Sequence, residues 1–222
     1  MILEILNVKK TYQQAAKQIE IFRELNFSIK SEKNIAILGR SGSGKSTLLS
    51  LLAGLDKVDA GSIYCFGTDL GRLNESELSA WRSKNLGVIF QQYHLINSLN
   101  ALENVMLPLE ILQQANAREK ALEMLDKVGL SERIHHFPSQ LSGGEAQRVA
   151  IARAFVAEPK LLLADEPSGN LDVETGQKVM QLLLSLSQTK KTTLILVTHD
   201  LELAKKCAEV YELKDGMLKL HQ

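Results

Sequence analysis

The sequence predicts an α/β fold with a mainly parallel sheet, an antiparallel β region near the N-terminus and an inserted helical region. Three observations predict it. Runs at residues 35–38, Leu161–Asp165 and Thr193–Thr198 are short and predominantly apolar, as strands covered on both faces are. Helical periodicity lies between such runs, the alternation expected of parallel strands joined by helices. The first run leads directly into Gly39-Arg-Ser-Gly-Ser-Gly-Lys-Ser-Thr47, which fits G-x-x-x-x-G-K-[ST] between a strand and a helix.

The elements follow in order. Residues 1–30 alternate in a β manner, with Leu3 and Ile5, Ile19 and Ile21, and Phe27 and Ile29 as the apolar positions. Gly61-Ser-Ile-Tyr-Cys-Phe-Gly67 is a further short strand between turns. These pieces make the antiparallel sheet beside the core. After strand 35–38, residues 45–53 read as a helix with Gly54 behind it as a C-terminal glycine. Residues 86–90 form an apolar strand ending at Gln91, and about 92–157 turns helical. There Asn116 and Glu119 mark a helix start, Gly129 a stop, and Ala121, Leu125 and Val128 one apolar face. Residues 173–187 read as a helix, followed by the strand that ends at His199.

Composition narrows the function classes. Of 222 residues 45% are hydrophobic, enough for a large core, and 26 Lys+Arg balance 26 Asp+Glu. That balance argues against a nucleic-acid partner, which draws a basic excess. No apolar run reaches the eighteen or so residues that span a bilayer. The start carries an acid at Glu4 and alternates like a strand, unlike a signal peptide. Cys65 and Cys207 form no close pair, which suits a reducing compartment. The five histidines show no metal-ligand spacing.

The glycine-rich segment carries the first chemistry. Glycines let the backbone curl so that N–H groups of Gly39, Arg40, Ser41, Gly42, Ser43 and Gly44 face phosphate oxygens. The helix start adds its own donors. Lys45 is the expected cation for the β- and γ-phosphates, Ser46 the hydroxyl ligand of Mg²⁺, and Thr47 completes the nucleotide set. The plain alternative is a glycine-rich turn joining strand to helix. In parallel sheets ligands sit at the carboxyl ends of strands, where Gln91, Asp165, Glu166 and His199 stand. Asp165 is assigned to the metal and Glu166 to the attacking water; without a phosphate loop the pair would simply open a polar turn before Pro167. His199 can bond a γ-phosphate, and Gln91 can reach Mg²⁺ or the water; each can equally be structural. Tyr12 can stack on adenine or be an ordinary residue of a polar loop.

Leu141-Ser-Gly-Gly-Glu-Ala-Gln147 is the second decisive segment. Ser142 and Glu145 make a capping box, with Val149, Ala152 and Val156 as the apolar face behind it. A well-capped helix does not explain Gly143 and Gly144 in its first turn, each costing about 1 kcal/mol. Bare backbone at a helix start invites an anion. Two such starts need two anions, or one phosphate clamped from two sides.

These segments resemble the ATP-binding subunits of ABC transporters over nearly the whole chain. Residues 39–47 resemble the Walker A loop, 161–166 the Walker B strand with its glutamate, and 141–147 the signature motif. Gln91 falls at the Q-loop, Gly169-Asn-Leu-Asp172 at the D-loop, His199 at the switch histidine and Tyr12 at the adenine-stacking aromatic. The resemblance implies a single ATP-binding domain over 1–222, with the helical subdomain at about 92–157. It implies a P-loop NTPase core and ATP and Mg²⁺ as cofactors. It also implies a head-to-tail dimer in which Ser142, Gly143, Gly144 and Glu145 serve the partner's ATP and Asp172 lies in the D-loop. Separate transmembrane permease subunits, at the cytoplasmic face of the membrane, are the other expected partners. Segments such as Gln91-Gln-Tyr-His-Leu95 and Ala164-Asp-Glu-Pro-Ser-Gly-Asn-Leu-Asp172 look most like the lipoprotein-release and macrolide-export group. Departures are Ser31-Glu-Lys33 and the variable stretch 13–18, both without the usual glycine. The family's cleft near the Q-loop receives a short helix of the membrane subunit; Tyr93, Leu95 and Leu102 are expected either to line it or to be core. Rival readings, a soluble ATPase of DNA repair or translation, lack their coiled-coil insertion or second Walker A, and a GTPase lacks its [NT]-K-x-D motif.

Overall fold

The computed structural model describes residues 1–14, 17–30 and 33–221. Its strands and helices run β1 (Leu3–Gln14), β2 (Lys17–Ile29), β3 (Asn34–Leu38), α1 (Lys45–Leu52), β4 (Ala60–Cys65), β5 (Thr68–Asp69), α2 (Glu75–Asn85), β6 (Leu86–Ile89), α3 (Ala101–Ile111), α4 (Ala117–Lys127), α5 (Gly143–Phe155), β7 (Leu161–Asp165), α6 (Val173–Thr189), β8 (Thr193–Thr198), α7 (Leu201–Ala204), β9 (Glu209–Lys214) and β10 (Met217–Leu220). Two units divide the chain, residues 1–82 with 193–222, and residues 83–192.

In the first unit an antiparallel sheet runs β2-β1-β4-β5. Alternation points Ile19 and Ile21 inward, yet they are half-buried and Phe22 and Leu25 are the residues that fill the core. Register shifts along β1 between Ile5 and Thr11 account for this, because each irregularity resets which face the following side chains take. Tyr12 is not in a polar loop: it lies in β1 opposite Ile19. The stretch 13–18 is likewise paired, Gln13 with Gln18 and Gln14 with Lys17; residues 15 and 16 lie outside the described residues, as do Ser31 and Glu32. β3 pairs in parallel with β8 and β9. Every residue of β3 and β8 is buried, which is why both read as apolar runs. The hairpin of β9 and β10 left no such trace, since Leu213 is its one buried residue.

In the second unit β6 and β7 pair in parallel, and α3 packs on α4 and α5. α3 opens with a capping box of Asn100 and Glu103. α4 does begin after Asn116, but that side chain makes no cap hydrogen bond. Asn104 is fully buried and secures the loop before α3, accepting from Ile96 N–H and donating to the carbonyls of Ile96, Leu99 and Asn100. Tyr93 and Leu95 line a cleft of about 740 Å³ with Gln92, His94, Pro138 and Leu141. Leu102 does not: it is 2% exposed, a core residue. Leu102→Glu is therefore expected to abolish cooperative melting, since an unpaired charge there costs several kcal/mol against a total stability of about 5–15 kcal/mol. A wild-type melt would place Leu102 elsewhere. Among the described residues no helix is long and apolar enough to cross a membrane.

Candidate active site

The loop between β3 and α1 holds the first part of the site. α1 starts at Lys45 with Gly44 as its N-cap, at φ 99 and with no side-chain cap. Its first N–H groups are therefore left for a ligand. Residue 44 must be glycine: a Cβ would stand 2.7 Å from Ile21 Cγ2, in a conformation L side chains avoid. Lys45 is buried, and its Nζ donates to the carbonyls of Gly39 at 2.7 Å and Arg40 at 3.0 Å. Ser43 Oγ is buried without a partner. An uncapped helix start, a buried cation and an orphaned hydroxyl in one curl suit a phosphate chain.

The hydroxyl of Tyr12 donates to Asp56 Oδ2 at 2.5 Å. Lys10 Nζ lies 4.8 Å from the ring centroid and 2.7 Å from Asp56 Oδ1. Burial, then the bond to Asp56, raises the phenol's pKa. Asp56 thus anchors the hydroxyl while Lys10 lies over the ring, and no local pattern announces Asp56, because it is 44 residues from Tyr12. His199 follows β8 and is exposed.

The second unit positions the carboxylates. β7 ends at Asp165, and Glu166 follows with φ 45, a left-handed conformation that costs a non-glycine residue about 1 kcal/mol or more. A tight turn leaves it, with Gly169 N–H donating to Glu166 O at 2.9 Å and Leu171 N–H to Ser168 O at 3.1 Å. Asp172 then caps α6, accepting from Thr175 N–H at 3.0 Å, a bond that lowers its pKa. Gln91, just beyond β6, meets this turn. Its Nε2 donates to Asn170 Oδ1, and Asn170 Nδ2 donates to Gln91 O, both at 3.0 Å. Tyr93 and His94 come next with φ 58 and 48. Arg153 of α5 donates to both their carbonyls, at 2.9 and 2.7 Å.

α5 begins as its sequence predicts. Ser142 Oγ accepts from Glu145 N–H at 3.3 Å, and Glu145 accepts from Ser142 N–H at 2.8 Å and from Arg133 Nε at 2.9 Å. The Ser142 N–H, then Arg133, pushes the Glu145 carboxyl from its ordinary 4.5 down to about 2. A lowered folded pKa gives stability that is complete above the unfolded value near 4.5 and is lost as pH falls toward about 2. Glu145→Gln is expected to lower stability by about 1–2 kcal/mol at pH 7 after solvent screening. Urea midpoints of the two proteins should draw together progressively as pH falls from about 4.5 toward about 2; a gap that stays constant would refute the ionic origin.

Ser46, Asp165 and Gln91 offer hydroxyl, carboxylate and amide oxygens, the hard donors that Mg²⁺ takes. Burial raises the thiols of Cys65 and Cys207 to about 12 and about 11, so neither supplies a thiolate nucleophile.

Residues 22–169 match the family described as ABC transporter. The chain is 45% identical to the lipoprotein-releasing system ATP-binding protein LolD of Bdellovibrio bacteriovorus, over 96% of this chain and 98% of that one. It is also 45% identical to the uncharacterized ABC transporter ATP-binding protein YbbA of Escherichia coli, over 98% and 96% of the two chains. Among solved structures, the dimeric post-hydrolysis state of the ATP-binding cassette MJ0796 bound to ADP and Pi matches with TM-score 0.92 and 39% identity, covering 100% of this chain and 98% of that one.

Proposed function

This chain belongs to the ABC transporter family, and we propose that it is the ATP-hydrolysing motor of a membrane transporter that releases lipoproteins. The single observation carrying the ATPase is the curl at Gly44, with Lys45 buried inside it and Ser43 Oγ orphaned. Lipoprotein release is supported by relatives of that name at 43–47% identity.

In this reading Gly39, Arg40, Ser41, Gly42, Ser43 and Gly44 present backbone donors to the phosphates, and Lys45 supplies the fixed positive charge. Tyr12 stacks on the adenine while Asp56 holds its hydroxyl, and Thr47 completes the nucleotide set. Ser46, Asp165 and Gln91 hold Mg²⁺, which when bound spreads the charge of the β- and γ-phosphates. Glu166 takes the proton of the attacking water, and His199 bonds the γ-phosphate. Ser142, Gly143, Gly144 and Glu145 meet the ATP of a second copy, and Asp172 shapes the turn that faces it. The work leaves through separate transmembrane permease subunits at the cytoplasmic face of the membrane.

Affinity purification from detergent-solubilised membranes, with identification of the partners, tests the transport reading. The expected partners are permease subunits that, with this chain and ATP, release lipoproteins from proteoliposomes. Partners that bind and stimulate the ATPase but release no lipoprotein would overturn that cargo and keep the motor.

A further inference from the structure

We propose that Asn170 is a positioning residue that presents the carboxamide oxygen of Gln91 to metal and water; this rests on the role given to Gln91 above. The chemistry of the pair determines which way each amide points. A main-chain carbonyl only accepts, so the Nδ2 end of Asn170 is the one against Gln91 O, at 3.0 Å. Its Oδ1 end is thereby turned to the Gln91 side chain, also at 3.0 Å. A carboxamide has one donor end and one acceptor end. The end of Gln91 that meets Oδ1 must therefore be Nε2, because the flipped amide would set two oxygens against each other. Oε1 is the end that Asn170 leaves unengaged, and it is the atom of this side chain able to ligate a hard cation or accept from water.

The surroundings are built for this contact. A Cβ at position 169 would lie 2.9 Å from Gln91 Nε2 and 3.2 Å from its Cδ, so the amide fits there because Gly169 has no side chain. The same glycine donates its N–H to Glu166 O at 2.9 Å. One turn thus holds the backbone of Glu166 at its start and the side chain of Gln91 at Asn170. Gln91 is exposed, and an exposed glutamine samples many rotamers. The paired bonds remove that freedom before a ligand arrives, as outer partners of metal ligands do.

The test uses Glu166→Gln protein loaded with ATP, so that nothing turns over, and Mn²⁺ as the probe, with free Mn²⁺ measured by electron paramagnetic resonance. Gln91→Ala is expected to weaken Mn²⁺ binding about tenfold, and Asn170→Ala by a similar factor. The double variant should be no weaker than either single one, because both remove the same interaction. Unchanged affinity in Asn170→Ala, or an Asn170 effect that adds in full to that of Gln91→Ala, overturns the proposal. A Gln91→Ala protein with parental affinity removes the role of Gln91 itself, and the proposal with it. Thermal melting accompanies each variant, and Asn170→Ser carries the same test if Asn170→Ala does not fold.

Discussion

Lys45→Ala is expected to abolish ATP turnover, with a loss of about a thousandfold or more in kcat, and to weaken ATP binding. The reason is local. The ammonium is buried and already held by the carbonyls of Gly39 and Arg40, so it stands inside the curl rather than reaching in from solvent. A preorganised charge in a site shielded from water acts more strongly on phosphate than a mobile one. Removing it also deprives two carbonyls of a donor, which costs about 1–3 kcal/mol if they stay dry. Melting temperature separates that structural loss from the catalytic one. Phosphate release by a folded Lys45→Ala protein at the wild-type rate would remove this loop from the site.

The second large effect belongs to Glu166. Glu166→Gln should bind ATP as the wild type does while hydrolysis falls by about a hundredfold or more, since an amide takes no proton from water. Gln keeps the size of the side chain and leaves undisturbed the Gly169 bond to the residue's own carbonyl, so the turn should survive. Trapped ATP should then hold two copies together. Size-exclusion chromatography with ATP and Mg²⁺ should show a dimer for the variant and a monomer without nucleotide. A variant that stays monomeric at saturating ATP removes the two-copy sandwich for this chain on its own.

What could be seen in the sequence, and what could not, follows from how local each signal is. β3, β7 and β8 were legible because burial on both faces leaves no polar residue in the interior of the run. The start of α5 was legible because both halves of its capping box lie within four residues. Ile19 and Ile21 misled, because the register irregularities of β1 are not written in the alternation of β2. Leu102 could be cleft or core from its place in the chain, and only tertiary packing decides for core. Asp56 at Lys10 and Tyr12, Arg153 across from Tyr93, and Asn170 at Gln91 share one property: each partner is 44 to 79 residues away. Such pairs form by folding, and no spacing rule reaches them.

The backbone at Tyr93 and His94 has a mechanical meaning. Two consecutive side-chain-bearing residues are held left-handed, at φ 58 and 48, and each holds energy of about 1–3 kcal/mol relative to a relaxed conformer. Arg153 grips both of their carbonyls and Asn104 holds the carbonyls of Ile96, Leu99 and Asn100 further on, so the segment between Gln91 and α3 is a loaded spring with Arg153 as the catch on its strained turn rather than a slack hinge. If that catch opens, the segment moves downhill, and returning it requires the same energy to be supplied again.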